Sequence, residues 1–342
     1  VLLTALIPFL LLPGSGWATA GEPVLRILAW PGYVDADVVS AFEKRFGGRI
    51  ELTIIDSDAA LWQKISSNQG ADFDVFAVNT AELQRYIDKE LVQPIAPEAI
   101  PNTRRQLPRF RAIERLSRDG KVYGIPYTYA EMGLIYDRAQ LATPPDSISA
   151  LWDPRFHGRV LAYNGGSHNF SLAALAQGSA RPFGIAAGDW KRNVEKLVAL
   201  RRNVLGFYTE PEESVRLFRR QGAALMFANY GMQQVQLLKA AGVDVGYVIP
   251  REGALAWLDC WAISRGAQDR TLAHAWIDYT LEESVSSLLV SRQGLSNTIA
   301  TASGNRSEGK LHWLEPVEDV AKREKLWARI VSGDRPAKVL LP

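Results

Sequence analysis

Of 342 residues only one is a cysteine, Cys260, so no disulfide can form within the chain. An exported protein without disulfides fits the bacterial periplasm better than a stapled animal domain. The four histidines, His157, His168, His274 and His312, show no H-x-x-x-H or other ligand spacing, which argues against a metal site. No G-x-S-x-G elbow, Walker loop or G-x-G-x-x-G fingerprint occurs. Ser167 beside His168 is no catalytic pair, because sequence neighbours rarely face each other. The expectation is therefore a protein that is not an enzyme and needs no cofactor. An excess of one charge is also missing: Lys plus Arg is 39 and Asp plus Glu 37, with no basic block. That balance argues against a nucleic-acid partner. Past residue 23 nothing is long and apolar enough to cross a bilayer, so no membrane insertion is expected.

The N-terminus differs in kind. "VLLTALIPFLLLPGSGWATAGEP" opens on an apolar run and ends in Ala18-Thr19-Ala20, a small-x-small cleavage pattern. Residues 1–20 read as a secretory signal, with a soluble monomer expected after cleavage. No Lys or Arg precedes the apolar core, which leaves the true start of the signal open. A buried N-terminal strand or helix is the alternative. No Cys sits at the cleavage site, so a lipid has no attachment point there.

Length allows roughly two domains, and 47% hydrophobic residues supply a sizeable core. "VLRILAW" (24–30), "RIELTIID" (49–56) and "FDVFAVN" (73–79) read as strands. Helical segments follow them at 35–47, 59–70 and 81–92, the pattern of a parallel sheet with right-handed crossovers. "GKVYGIPYTYAEMGLIYD" (120–137) reads as two strand-like runs around Pro126, and 271–294 as one helix. Two α/β units joined by strands that pass between them follow from this order, with strand ends pointing into a shared crevice.

What the chain has in quantity is aromatic: 10 Trp, several at predicted strand ends. In "GALAWLDCWAIS" (253–264), Trp257, Asp259 and Trp261 share one face of a strand, while Leu258, Cys260 and Ala262 share the other. Rings around a carboxylate make a box that attracts ammonium groups. Trp30, Tyr33, Tyr129, Tyr230 and Trp257 are candidates for the walls, and Asp259 for the acceptor; Trp30 and Trp261 read equally as core. "YNGGSHN" (163–169) offers a second option, backbone N–H groups for an anion at a helix start, or merely a turn.

"ILAWPGYVDADVVSAFEKRFG", "FDVFAVN", "GKVYGIPYTYAEMGLIYD", "LWDPRFHGRV", "ALMFANYG" and "EGALAWLDCWAISRGAQD" come in this order. Together they resemble the periplasmic substrate-binding proteins of polyamine ABC transporters, the spermidine/putrescine receptors. The resemblance implies the α/β, two-lobed periplasmic-binding-protein fold, type II-like, with a ligand cleft between lobes joined by crossing strands. The expected division is 24–127 plus 259–298 for one lobe and 128–256 plus 302–342 for the other. It implies that Trp30 and Tyr33 line the cleft, that Asn79 ends the third strand there, and that Trp257 and Asp259 supply an aromatic wall and a carboxylate for an amine. An inner-membrane ABC permease is the implied partner.

The chain departs from the family where Ala81 and Leu295 replace aromatics and where "AYNGGSHNFS" carries no acid. The tryptophan expected in "ALMFANYG" is replaced, with Phe227 or Tyr230 nearby. One end of a polyamine loses its acidic partners, and an unpaired ammonium in a closed cleft costs several kcal/mol. Glu131 is the first substitute to consider, then Asp56, Glu210 or Glu212. Beside a polyamine, another small solute remains open, as does a sensing rather than a transport role. The signal reading has a direct test: intact mass of the protein recovered from the periplasm should match a chain starting near Gly21, and retention of residues 1–20 sinks it.

Overall fold

The computed structural model describes residues 22–299 and 310–341. The proposed signal, residues 1–20, lies outside the described residues. The described chain starts with β1 (Val24–Ala29), α1 (Ala36–Phe46), β2 (Arg49–Ile54), α2 (Asp58–Ser67), β3 (Val75–Asn79) and α3 (Leu83–Asp88). β1 pairs in parallel with both β2 and β3. The third helix is shorter than the apolar pattern predicts. Glu90 takes a positive φ of 53°, which ends it and hands Leu91 on to β4 (Val92–Gln93).

A short helix α4 (Pro108–Arg111) and a hairpin, β5 (Ser117–Arg118) with β6 (Lys121–Val122), lead into β7 (Ile125–Met132) and β8 (Leu134–Asp137). Between the last two, at Gly133, the chain changes sheet. A Cβ there would lie 2.6 Å from the Val248 carbonyl and 2.7 Å from the Tyr247 ring, so only glycine allows the passage. The second unit follows: β9 (Val160–Tyr163), α5 (Gly166–Ala176), α6 (Trp190–Asn203), β10 (Val204–Tyr208), α7 (Pro211–Gln221), β11 (Leu225–Phe227), α8 (Met232–Ala240) and β12 (Val245–Val248). Its five strands run in the order β10-β9-β11-β8-β12, with β9, β10 and β11 parallel.

The chain returns through Gly253 to β13 (Ala254–Ser264), every residue of which is buried. Next come α9 (Arg270–Thr280), α10 (Glu283–Gln293), β14 (Ser296–Asn297), β15 (Leu311–Trp313), α11 (Val320–Val331) and α12 (Pro336–Val339). The single helix predicted for 271–294 is two, because Glu282 is extended (ψ 140°) and restarts it while Leu281 turns into the core. The large sheet has the order β14-β7-β13-β3-β1-β2, with β4 and β15 also paired to β13. β15 thus lies in the large sheet, whereas α11 packs on α5 and α6 of the second unit.

The parallel half of the large sheet is locked by Asp74, which is fully buried just before β3. It accepts from the Arg26 backbone N–H (2.8 Å), from Arg26 Nε (2.9 Å) and Nη2 (2.8 Å), and from the Gln268 N–H (2.8 Å). Burial alone would raise this carboxyl; the bonds from Arg26 and Gln268 outweigh it and hold it below the usual range. Asp74→Ala leaves those donors without an acceptor and should destabilise the protein by about 3 kcal/mol. Urea unfolding measures this, and a loss under about 1 kcal/mol would show the lock to be replaceable.

Candidate functional site

Strand ends build the site. In the large sheet the C-terminal ends of β1, β2 and β3 lead to Trp30–Tyr33, Asp58 and Asn79–Glu82; in the second sheet β9, β10 and β11 lead to Asn164, Thr209 and Asn229–Tyr230. Such edges are where ligands bind in open α/β sheets. Asp259 lies in β13 directly opposite Asn79 of β3, so their side chains share a face. Its carboxylate is 6% exposed, and each oxygen has one donor. The Tyr33 hydroxyl donates to Oδ2 (2.6 Å) and Asn79 Nδ2 to Oδ1 (3.0 Å). The Ala81 N–H donates to Asn79 Oδ1 (2.9 Å), which fixes the amide's orientation. Tyr33 is brought round by a turn closed by its N–H on the Trp30 carbonyl. Gly32 makes that turn at φ 79°, and a Cβ there would lie 2.8 Å from Gln293 Oε1.

The alternation expected in 257–262 is what the structure has. Trp257 and Trp261 lie in one core cluster with Tyr33 and Tyr127, Cys260 and Ala262 in a second, and Leu258 in a third. Trp257 donates its indole N–H to the Asn229 carbonyl (2.9 Å), tying β13 to the end of β11. Trp30 is half-buried, and its indole nitrogen has no hydrogen-bond partner.

Two candidates go elsewhere. Tyr129 stands opposite Leu258, on the far face of β13 from Asp259, packed on Phe110 and Trp313, and its hydroxyl accepts from Arg109 (2.9 Å). The cause is a bulge: Asp259 faces Thr128 but Cys260 faces Pro126, so Tyr127 is the extra residue. Tyr127 turns to the Asp259 side instead, its ring 5.9 Å from Tyr33 and 5.1 Å from Trp261. Glu131 stands opposite Ala256, which shares the Leu258 face, so it too is turned away from Asp259. Tyr230 lies on the second sheet's edge; its ring meets Tyr163 edge-on at 6.1 Å, and its hydroxyl donates to the Thr209 carbonyl. Asp56, Glu210 and Glu212 are exposed.

Three acids that the sequence pattern passes over lie beyond the strand ends. Asp58 opens α2 with its side chain exposed to solvent, amid a dense surround of protein atoms. Desolvation by that surround, then the charges of Glu82 and Asp259, raises its carboxyl to about 7, with Arg85 opposing and Glu324 adding. Glu82 precedes α3 and pairs with Arg85 at 3.4 Å. Glu324 comes from α11 and fills the Gly-rich slot at the start of α5: Oε1 accepts from the Ser167 N–H (3.2 Å) and would lie 2.7 Å from a Cβ on Gly166. Burial raises its carboxyl against the pull of the Ser167 and Gly166 N–H groups. The acid missing from "YNGGSHN" is thus supplied from more than 150 residues away.

Cavities of about 650 and 510 Å³ lie by Leu311–Glu318 and by Gln106–Pro126, and no candidate residue lines either. The strand ends, where burial shifts carboxylates, are the chemically distinguished place. Among the described residues no His/Cys/Asp/Glu group is placed to hold a metal ion, and no helix is long and apolar enough to cross a membrane.

Two α/β sheets with facing C-terminal edges, joined by strands that cross between them, define the two-lobed substrate-binding class. The chain belongs to the bacterial extracellular solute-binding proteins, whose family model matches residues 37–303. It is 24% identical over 284 residues to the putrescine-binding periplasmic protein of Escherichia coli, covering 79% of this chain and 76% of that one. With a putrescine-binding periplasmic protein of Pseudomonas aeruginosa it shares 23% over 324 residues, 90% and 88% of the two chains. The fold matches a spermidine/putrescine ABC transporter substrate-binding protein of Streptococcus pneumoniae at a TM-score of 0.68 and 19% identity, over 80% and 82% of the two chains. It matches an ABC transporter substrate-binding protein of Bradyrhizobium japonicum at 0.72 and 15%, over 90% and 99%. These relatives are solute-binding proteins rather than enzymes.

Burial raises the Asp259 carboxyl from 3.8 to about 6, with the Tyr33 and Asn79 hydrogen bonds opposing the rise. The folded state holds this proton more tightly than the unfolded chain. The stability it contributes is therefore complete below about pH 3.8 and lost as pH rises through about 6, a difference of about 3 kcal/mol. Between pH 4 and 7 the thermal midpoint of ligand-free wild type should fall relative to that of Asp259→Asn. Parallel curves would show that Asp259 is not desolvated. Tyr33→Phe removes a donor and should move the same titration upward.

Proposed function

We propose that the protein captures a small cationic solute, an amine of the polyamine class, in a cleft between two lobes and delivers it to an inner-membrane ABC permease. The single observation that carries this reading is Asp259, a carboxylate held nearly dry by Tyr33 and Asn79 beside the Trp257 indole. An ammonium is the natural complement of such a group: it brings a positive charge, donates a charge-assisted hydrogen bond to the carboxylate and packs on the ring face. Trp30 and Tyr230 are the further aromatic walls, from the two facing edges. The relatives named for putrescine and spermidine support the same ligand class. So does the filled slot at α5, since Glu324 occupies the N–H groups an anion would use and repels one.

In this reading the chain performs no chemistry, and affinity comes from charge, stacking and the exclusion of water on closure. It works in the periplasm as a monomer after loss of residues 1–20. The first lobe is built on the β1–β3 unit with β13 and α9–α10, the second on the β9–β11 unit with α11.

Asp259→Asn keeps shape and removes charge. Calorimetry should find putrescine binding weakened at least tenfold, about 1.4 kcal/mol, with the fold intact. Unchanged or tighter binding ends the ammonium reading, and it is the result expected if the true ligand is an anion.

A further inference from the structure

The second sheet has another edge, opposite the crevice. β9, β10 and β11 begin there, and the antiparallel β8 ends there beside the start of β12. Backbone bonds tie these ends into one surface. The Gly158 N–H donates to the Asn203 carbonyl (2.9 Å), Ala224 to Arg159 (2.7 Å), Asp137 to Ala224 (3.0 Å) and Arg138 to Asp244 (3.1 Å). The whole chain carries a net charge of only +2, yet cations far outnumber acids on this edge. The acids there are already engaged. Asp153 pairs with Arg155 (2.6 Å) and Asp244 with Arg138 (3.3 Å), while Asp137 accepts from the Ala139 N–H (2.9 Å) and from Gln140 (2.7 Å). The Arg159 guanidinium donates to neutral acceptors, Gln140 Oε1 (3.0 Å) and the Arg155 carbonyl (2.7 Å). Arg202, Arg219, Arg220 and Lys239 are exposed, and among the described residues no carboxylate pairs with any of them. Burial and then the Arg202 charge pull the Arg201 guanidinium below its ordinary value, with Asp334 opposing. Helix C-termini attract cations, and α6, α7 and α8 all end here. That accounts for only part of the charge, since Arg138 and Arg159 end no helix.

The end of α11 joins the same surface, because Arg201 Nη1 donates to the carbonyls of Ile330 (2.7 Å) and Asp334 (2.9 Å). It adds exposed Arg335, while Lys338 takes up the charge of Asp334 (2.6 Å). It also adds two exposed apolar side chains, Val331 and Leu341. We propose that this edge is a docking surface for an anionic phospholipid bilayer. Guanidinium forks match phosphate oxygens. Strands about 4.8 Å apart spread the cations over roughly 20 Å, the scale of several lipid headgroups rather than one bound ion. Neither of the two cavities described above lies here, so the cations cover a surface instead of gathering round a pocket. Apolar side chains among basic ones are the pattern of a surface that rests in the headgroup layer. Such attraction depends on the anionic lipid and fades with salt. β9, β10 and β11 run from this edge to the crevice, so a docked molecule keeps its crevice turned away from the bilayer and open to solute. The surface is remote from Asp259, and the inference holds whatever solute the crevice takes.

Vesicle co-sedimentation of the protein recovered from the periplasm tests this. Vesicles of phosphatidylcholine alone are compared with vesicles in which about one third of the lipid is phosphatidylglycerol, at low salt and at about 0.3 M NaCl. Wild type should sediment with the anionic vesicles at low salt, leave them at high salt and ignore the neutral ones. Two paired charge reversals address the edge, Arg219→Glu with Arg220→Glu, and Arg202→Glu with Lys239→Glu. A third pair, Lys64→Glu with Lys121→Glu, makes the same change of net charge at exposed positions of the first unit. Each edge pair should weaken vesicle binding at least fivefold and the third pair less than twofold. All these side chains are exposed, so melting should stay within a few degrees of wild type; should one edge pair fail to fold, the other decides. Wild type that ignores the anionic vesicles overturns the proposal, and is the result expected of an edge built for an acidic protein. Equal losses in the edge pairs and the third pair overturn it too, because net charge alone would then explain the binding.

Discussion

The antiparallel pairing of β13 with β3 on one side and β7 on the other is the contact on which everything else hangs. It joins the two sheets, because β7 runs on through Gly133 into the second sheet and β13 returns from it. It also sets the site. Placing Asp259 opposite Asn79 puts a carboxylate and an amide on one face at the end of β3, and the Trp30–Tyr33 turn reaches over from β1. A slip of one residue would send Asp259 to the Leu258 side and bury Cys260 in its place. Register here is function.

Burying Asp259 is unfavourable by itself, and two hydrogen bonds only partly offset the loss of water. In the function proposed above, the protein bears that cost in the empty state and would recover it when a cation arrives. Glu324 is in the same balance: it sits at a helix start, where N–H groups favour a negative charge, and burial still raises its carboxyl. The two carboxylates are held by different means, one by side-chain donors and one by a helix terminus.

Legibility followed periodicity. The βαβαβ opening, the strand ends and the two faces of β13 were all readable, because a period of two and the capping residues are local. The failures were local rules interrupted by something distant. Tyr127 and Tyr129 share a face in any regular strand, yet the bulge opposite Asp259–Cys260 sends them to opposite sides. Pro126 was the one hint, since proline within a sheet is commonly tied to a bulge. Glu131 stands where the resembled family has a small residue, and pairing with Ala256 turns it away from Asp259.

The sequence by itself determined the class of fold, the family resemblance and the carboxylate at 259 with its aromatic neighbours, because each is written in short-range spacing. The tertiary structure decided which acids come to the strand ends around it. Asp58, Glu82 and Glu324 lie on three separate helical segments, and Glu324 is 65 positions from Asp259 along the chain. No period connects such residues. Only the docking of α11 against α5, fixed by buried Arg323, brings the last of them to the place where the sequence shows no acid at all.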